Sequence, residues 1–273
     1  MDENNKIVKI GIVILIVLLV ALAVYYLIFA GRGKAKQVAE PSPQAQKAAG
    51  EKAPVETGIN LAALSVELDK SDDPVRNLLA ELSSNPTFGQ WLKTKELIRK
   101  FVASVDNIAN GQSPRAHLDF FALGGEFKTV FRNGRTYLDP SCYDRYKNVA
   151  DIFVSTSSTG CARMYGSFKP LFQQAYRELG YPKEDFHQTL LRAIVEILKT
   201  PVVHESIALE KKIISYAMAD PKLEELSLAQ KHLLRMGPEN LQLIQAKLRE
   251  IALALGFTEN ELPRPIIYQS GRR

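Results

Sequence analysis

Apolar residues follow three different rhythms along the chain. From Ile10 to Ala30, 21 consecutive residues carry no charge, amide or hydroxyl apart from the phenols of Tyr25 and Tyr26. As a helix this run is about 31 Å long, which matches the hydrocarbon thickness of a bilayer. Lys6 and Lys9 flank it on one side and Arg32, Lys34 and Lys36 on the other, and the tyrosines fall near one interface, where amphipathic rings settle. The pattern predicts a transmembrane helix over 10–30 behind a short tail over 1–9. A cleaved signal peptide fits less well, because its apolar region covers only about 7 to 15 residues and ends in a small-x-small site, whereas Ile28-Phe29-Ala30 places a bulky side chain there. A core helix of this length with no polar face would also be unusual.

From residue 31 to about 58 the rhythm disappears. Ala, Gln, Lys, Glu, Pro and Gly dominate, so there is no apolar face to bury, and a flexible linker is expected over 31–72. A linker of that length has a root-mean-square reach of roughly 35 Å. Ile59 to Leu68 is more apolar and fits either a short strand or a turn of helix.

The third rhythm is helical, and it begins where helix-start signals recur: Asp73-Pro74, Asn85-Pro86, Asp139-Pro140 and Asp220-Pro221. The Asp or Asn accepts from orphan first-turn amides, and Pro takes the first helical position, where no hydrogen is needed; the same dipeptides also start turns. Leu97, Ile98, Phe101, Val102, Val105, Ile108 and Ala109 form one stripe, closed by Gly111. A second stripe runs from Cys161 to Leu179 and is interrupted by Pro170, which predicts a kink or two abutting helices. Phe186 to Leu198 and Leu241 to Leu255 repeat the pattern. Two stretches alternate instead: residues 126–138 around Asn133-Gly134, a strong hairpin signal, and Ile207 to Met218, expected to pack beside that hairpin because a lone two-stranded ribbon is marginal. The predicted fold class is mainly α with a small β element (α+β). The soluble helical domain is expected over 73–256, followed by a C-terminal tail over 257–273.

Composition changes this picture little. The chain is 46% apolar and 24% charged, within the globular range. Much of the net charge of +5 lies beside the apolar run and at Arg272 and Arg273 rather than on one folded face, so no nucleic-acid partner is expected. Basic residues are nearly balanced on the two sides of the apolar run and do not fix its orientation.

Candidate chemistry is sparse. His117, His187, His204 and His232 show no i, i+4 pairing, and no metal site or cofactor is expected. Cys142 and Cys161 are expected to be free, small packing residues, because an antiparallel helix pair would hold their sulfurs roughly 20 Å apart. There is no Gly-x-Ser-x-Gly elbow, Walker loop or dinucleotide fingerprint, and no catalytic residue is assigned. The least generic segment is Arg235-Met236-Gly237-Pro238-Glu239-Asn240, a helix–Gly–Pro–helix corner. Its Arg235, Glu239 and Asn240 are candidate binding residues, as are Asp106 and Asn107, which lie off the apolar stripe of their helix. Each also has a bland reading, since polar residues at such places often fasten helix ends.

Three segments carry a family resemblance: Leu97-Ile98-Arg99-Lys100-Phe101-Val102 with Val105-Asp106-Asn107-Ile108-Ala109; Lys169-Pro170-Leu171-Phe172 with Ala175-Tyr176-Arg177-Glu178-Leu179-Gly180-Tyr181-Pro182; and Ala229-Gln230-Lys231 through Asn240. In this order they resemble the bacterial family catalogued as domain of unknown function 3014, over about residues 72 to 256. The resemblance implies a Gram-negative inner-membrane protein with its domain in the periplasm, and it supplies no activity, cofactor or catalytic residue. The expected function is a tethered interaction domain that binds an envelope protein or polymer. The rivals are an envelope hydrolase acting on cell-wall or lipid substrates and, with inverted topology, a cytoplasmic regulatory domain.

Overall fold

The computed structural model describes residues 66–80, 86–117, 126–213 and 215–270. The apolar run over 10–30, most of the linker and the Asn85 cap lie outside the described residues. No helix among the described residues is long and apolar enough to cross a membrane.

The fold begins earlier than expected. Leu68, in a 3-10 turn over Leu68–Lys70, is buried in the core, so the end of the stretch expected as linker over 31–72 belongs to the fold. Helix α1 follows at Asp72–Ala80. Its Pro74 sits in the first turn, but Asp73 pairs with Arg76 instead of capping the helix. The capping carboxylate is Asp72, and the helix it caps is a different one: it accepts from the amides of Glu96 at 2.7 Å and Leu97 at 2.9 Å. A carboxylate on one element can serve any orphan amide within reach, and the start of the next long helix offers two.

Helix α2 spans Pro86–Trp91 and α3 spans Leu97–Ala109. The hairpin forms as predicted, with β1 at Thr129–Arg132 and β2 at Arg135–Leu138. Asn133 and Gly134 both have positive φ, 51° and 74°, as a two-residue turn matched to the strand twist requires. Asp139 accepts from the Ser141 amide at 2.9 Å and opens a 3-10 turn that leads into α4, Asp144–Val154.

Helix α5 runs unbroken over Ser158–Glu178, so the two-helix alternative at Pro170 does not occur. Pro170 and Gly166, four residues earlier, are both exposed, and water can take the carbonyl that the proline leaves without a donor. Helix α6 follows at Phe186–Leu198. The stretch 207–218 does join the hairpin, but as two strands, β3 at Ala208–Lys211 and β4 at Tyr216–Met218. The result is a four-stranded antiparallel sheet ordered β1-β2-β3-β4. Helices α7 (Pro221–Glu224), α8 (Leu228–Leu234) and α9 (Pro238–Ala254) complete the chain of elements. Asp220 caps α7 through the Lys222 amide, and Ser227 with Gln230 forms a capping box on α8.

The core lies where α3, α5 and α6 meet. Phe101, Phe172 and Phe186 sit with ring centroids 5.0–5.9 Å apart in tilted and edge arrangements, the geometry favoured by the ring quadrupole. Helix α9 crosses α4, α5 and α6. Its buried Gln245 donates to the carbonyls of Ile197, Leu198 and Thr200, and so supplies the partners that the C-terminal end of α6 lacks.

Both cysteines are free and buried. Burial pushes the Cys161 thiol far up, which makes it inert. Cys142 does more than fill space, because its sulfur accepts from the Lys128 amide at 3.0 Å and ties the hairpin's entry to α4.

The segment beyond 256 is part of the fold rather than a tail. Phe257 and Leu262 are buried. The Val202 amide donates to Ile266 and the Tyr268 amide to the Val202 carbonyl, both at 2.8 Å, so the segment forms a strap across the end of α6.

Candidate functional site

Strand alternation puts Leu138, Ile207, Leu209, Tyr216 and Met218 on one face of the sheet. Helix α8 faces them. Its apolar side, with Ala229, Leu233 and Leu234, is buried toward the helical core. The opposite stripe, Leu228, Lys231, His232 and Arg235, falls at i, i+3, i+4 and i+7 and points at the sheet. Between the two is a pocket of about 210 Å³, closed on one side by Phe127, whose ring lies 5.8 Å from that of Tyr216. Apolar walls around a few convergent polar groups are the usual character of a ligand site.

The charges in this pocket do not cancel. Glu224 accepts from the Lys231 ammonium at 2.8 Å and from the Met218 amide at 2.8 Å, and Lys231 also donates to the Glu224 carbonyl. Burial opposes the charge on Glu224, yet Lys231, the Met218 amide and the Arg235 charge together hold it below the usual carboxylate range. Glu224 and Lys231 are therefore a satisfied pair. Arg235, at the C-cap of α8, is left over: it has no hydrogen bond or ion pair among the described residues. Burial lowers its pKa, and the Tyr146 and Glu224 charges oppose that shift only from a distance. A guanidinium offers five donors in a planar fork, and one half-buried beside apolar walls without a protein acceptor is poised for a carboxylate or phosphate. At an effective dielectric of 20 a carboxylate placed 4 Å from it gains on the order of 4 kcal/mol before desolvation.

The remaining residues of the predicted corner play other parts. Gly237 has φ 84°, and a Cβ there would lie 2.5 Å from the Tyr143 ring, so the backbone packs directly on that ring. The Asn240 amide donates to the carbonyls of Tyr143 at 3.1 Å and Met236 at 2.9 Å, which fastens the corner. Glu239 is exposed. Of the three candidates here, only Arg235 lines the pocket; Asn240 is structural.

Asp106 and Asn107 lie elsewhere, on α3. Asp106 is 8% exposed and accepts from the Tyr181 hydroxyl at 3.3 Å and the Asn110 amide at 3.2 Å. Burial raises its pKa and those two donors oppose the rise. Tyr181 stacks on Tyr176 at 4.5 Å, the Tyr176 hydroxyl accepts from Thr189 at 2.9 Å, and Arg192 donates to Thr189 at 2.9 Å. This network stitches α3 to α5 and α6 through groups that satisfy one another. Asn107 is partly exposed beside it.

A second cavity, about 330 Å³, lies under the C-terminal strap between Leu198, Val202, Gln245, Arg249 and Pro263. Gln245 already spends its amide hydrogens on the end of α6, and Arg249 is held by Glu259 at 2.5 Å and by the Pro263 carbonyl. The larger cavity thus has no comparable spare donor. Among the described residues no group of three or more His, Cys, Asp or Glu is placed to hold a metal ion.

Sequence reading singled out Arg235 but missed Lys231 and His232. The signal was present, since Lys231, His232 and Arg235 recur at helical spacing on the face of α8 that lines the pocket. No curated protein and no solved structure matches the chain. The model of one family, described as a protein of unknown function, DUF3014, matches residues 97–252, more than half of the chain and inclusive of α3 to α9 nearly to its end. The chain belongs to the DUF3014 family of proteins of unknown function.

Proposed function

We propose that this protein is a membrane-tethered binding domain that takes an anionic group on an apolar body into the pocket between the sheet and α8. The observation that carries this reading is Arg235, a half-buried guanidinium lining the same pocket as Leu209, Tyr216 and Met218, with no acceptor among the described residues. The ligand's carboxylate or phosphate meets the Arg235 fork, and its apolar part lies along the inner face of the sheet. The same pocket favours binding over hydrolysis. A general acid needs a raised pKa, whereas Glu224 is held ionised with each oxygen already engaged.

The apolar run over 10–30 supports an inner-membrane anchor, and the family resemblance favours a periplasmic domain. The partner in that compartment would be an envelope protein or polymer bearing acidic groups; fusions of phosphatase and fluorescent reporters to the C-terminus test the orientation. Binding is tested on the full chain by calorimetric titration with benzoate, hexanoate and inorganic phosphate, beside Arg235→Met. Saturable binding weakened at least about tenfold in the variant is expected, with thermal stability little changed, because a half-buried charge without a protein partner gives way to an apolar chain of similar length. Equal affinity in the two proteins would exclude the pocket.

A further inference from the structure

The order of the sheet brings its two hairpin turns to one end. Strand β2 runs away from the Asn133-Gly134 turn and β3 runs back toward it, with Thr136 opposite Leu209 and Tyr137 opposite Ala208. Continuing that register sets Lys211 beside Gly134. The β3–β4 turn follows at once, closed by the Lys212 amide donating to the Ser215 carbonyl at 2.8 Å.

At this end two large apolar side chains stand in water, Phe131 at 73% exposure and Ile213 at 100%. Phe131 stands level with Leu209 two strands away, and Ile213 follows four residues later, so they lie roughly 15 Å from each other. The charged groups around them are Arg132, Arg135, Lys211 and Lys212, with Glu210 as the acid on the neighbouring register positions. Glu210 neutralises Lys212 at 3.0 Å. Arg132 lies over the Tyr137 ring, 4.8 Å from its centroid, and bonds Ser206, which fixes its charge on the outer face of the sheet. Four cations against one acid therefore surround two exposed apolar tips on hydrogen-bonded turns.

We infer that the paired hairpin tips form a docking surface for an anionic lipid bilayer, with Phe131 and Ile213 entering the headgroup region while Arg135 and Lys211 meet lipid phosphates. Apolar side chains that gain by leaving water, ringed by cations attracted to a negative surface, are the combination that holds proteins at an interface. A protein partner would have to match both turns in shape, whereas a bilayer demands only the sign of charge and a layer into which the apolar tips can sink. Docking places the end of the sheet against lipid and holds the domain closer to the membrane than its linker requires. It does not depend on the Arg235 pocket, whose loss would leave it intact.

The test uses the full chain in nanodiscs of about 30% phosphatidylglycerol in phosphatidylcholine or of phosphatidylcholine alone. An environment-sensitive fluorophore is attached through I213C, F131C or, as a control on α9, L243C; the native thiols are buried. Blue-shifted emission at 213 and 131 in the anionic discs only is expected. It should be absent at 243, and it should be lost in high salt or in the double variant Lys211→Glu, Lys212→Glu. Water-like emission at 213 in the anionic discs, or an equal shift at 243, would overturn the inference. If the chain stays out of the discs the anchor fails, and preformed vesicles of the same two compositions then test docking by the same readout.

Discussion

At the scale of single residues, Asp106 shows how a polar group can be essential to packing and still cost stability in its charged form. Burial raises its pKa, so the fold prefers the protonated carboxyl. A raised carboxyl contributes stability that is complete below its unfolded value and is lost as pH rises through its folded value. Asp106→Asn keeps the shape and a partner for both Tyr181 and Asn110, and it carries no charge at any pH. The melting temperature of the variant relative to the parent should therefore rise as the pH is raised through and above the ordinary carboxylate range, as measured by calorimetry. A difference independent of pH would mean that the Asp106 charge is not opposed by the fold. That Asp106 lies off the apolar stripe of α3 was legible in the sequence. Its partners were not, because Tyr181 reaches it from beyond α5, a contact of 75 residues' separation that no local pattern encodes. Arg235 presents the reverse case: its position beside Gly237 and Pro238 was legible, and its lack of a partner emerges only once the sheet covers it.

Elements show a sharper division. The hairpin was readable because Asn133-Gly134 specifies both the turn and the register of the strands beside it. Asp139-Pro140 and Asp220-Pro221 cap the turns they precede, so their information is local. Asp73-Pro74 misled because the useful carboxylate is the neighbouring Asp72, which serves a helix 25 residues away. Pro170 left two outcomes open, a kink or two helices, and the single helix is compatible with the proline because its face of α5 is solvent. The α8–α9 corner gives the clearest test at this scale. Gly237 combines a positive φ with direct contact on the Tyr143 ring, so Gly237→Ala incurs both backbone strain and a clash, together about 2–4 kcal/mol. For a domain of this size that is a fall of roughly 5–15 °C in melting temperature. Adding Tyr143→Ala removes the clash but not the strain, so the cost of Gly237→Ala should be smaller in that background, as a double-mutant cycle measures. Full additivity would show that the ring does not set the glycine.

For the molecule as a whole, the informative boundary is the C-terminal one. Residues 257–270 show no periodicity, and the family model stops at 252, yet the segment is integral to the fold. It is held by isolated contacts at irregular spacing, which pattern reading does not weigh: Phe257 stacks on His187 at 4.5 Å, Leu262 is buried, and Tyr268 bonds Val202 through its amide and Asp220 through its hydroxyl. Through Asp220 the strap reaches the cap of α7, the short helix that presents Glu224 to the pocket. Removing residues 257–273 should therefore act on two levels. Uncovering the partners of Phe257 and Leu262 costs about 1.5–3 kcal/mol for each side chain, which corresponds to a melting temperature roughly 10–20 °C lower. The cap of α7 also loses its Tyr268 partner, so the pocket loosens at Glu224 and Lys231 before the domain unfolds. Hydrogen exchange should show this as a larger acceleration at the Met218 amide, which donates to Glu224, than along α3, whose protection falls only with the global stability. Equal acceleration at α3 would instead make the strap one more part of a single cooperative unit, with no specific link from the C-terminus to the pocket.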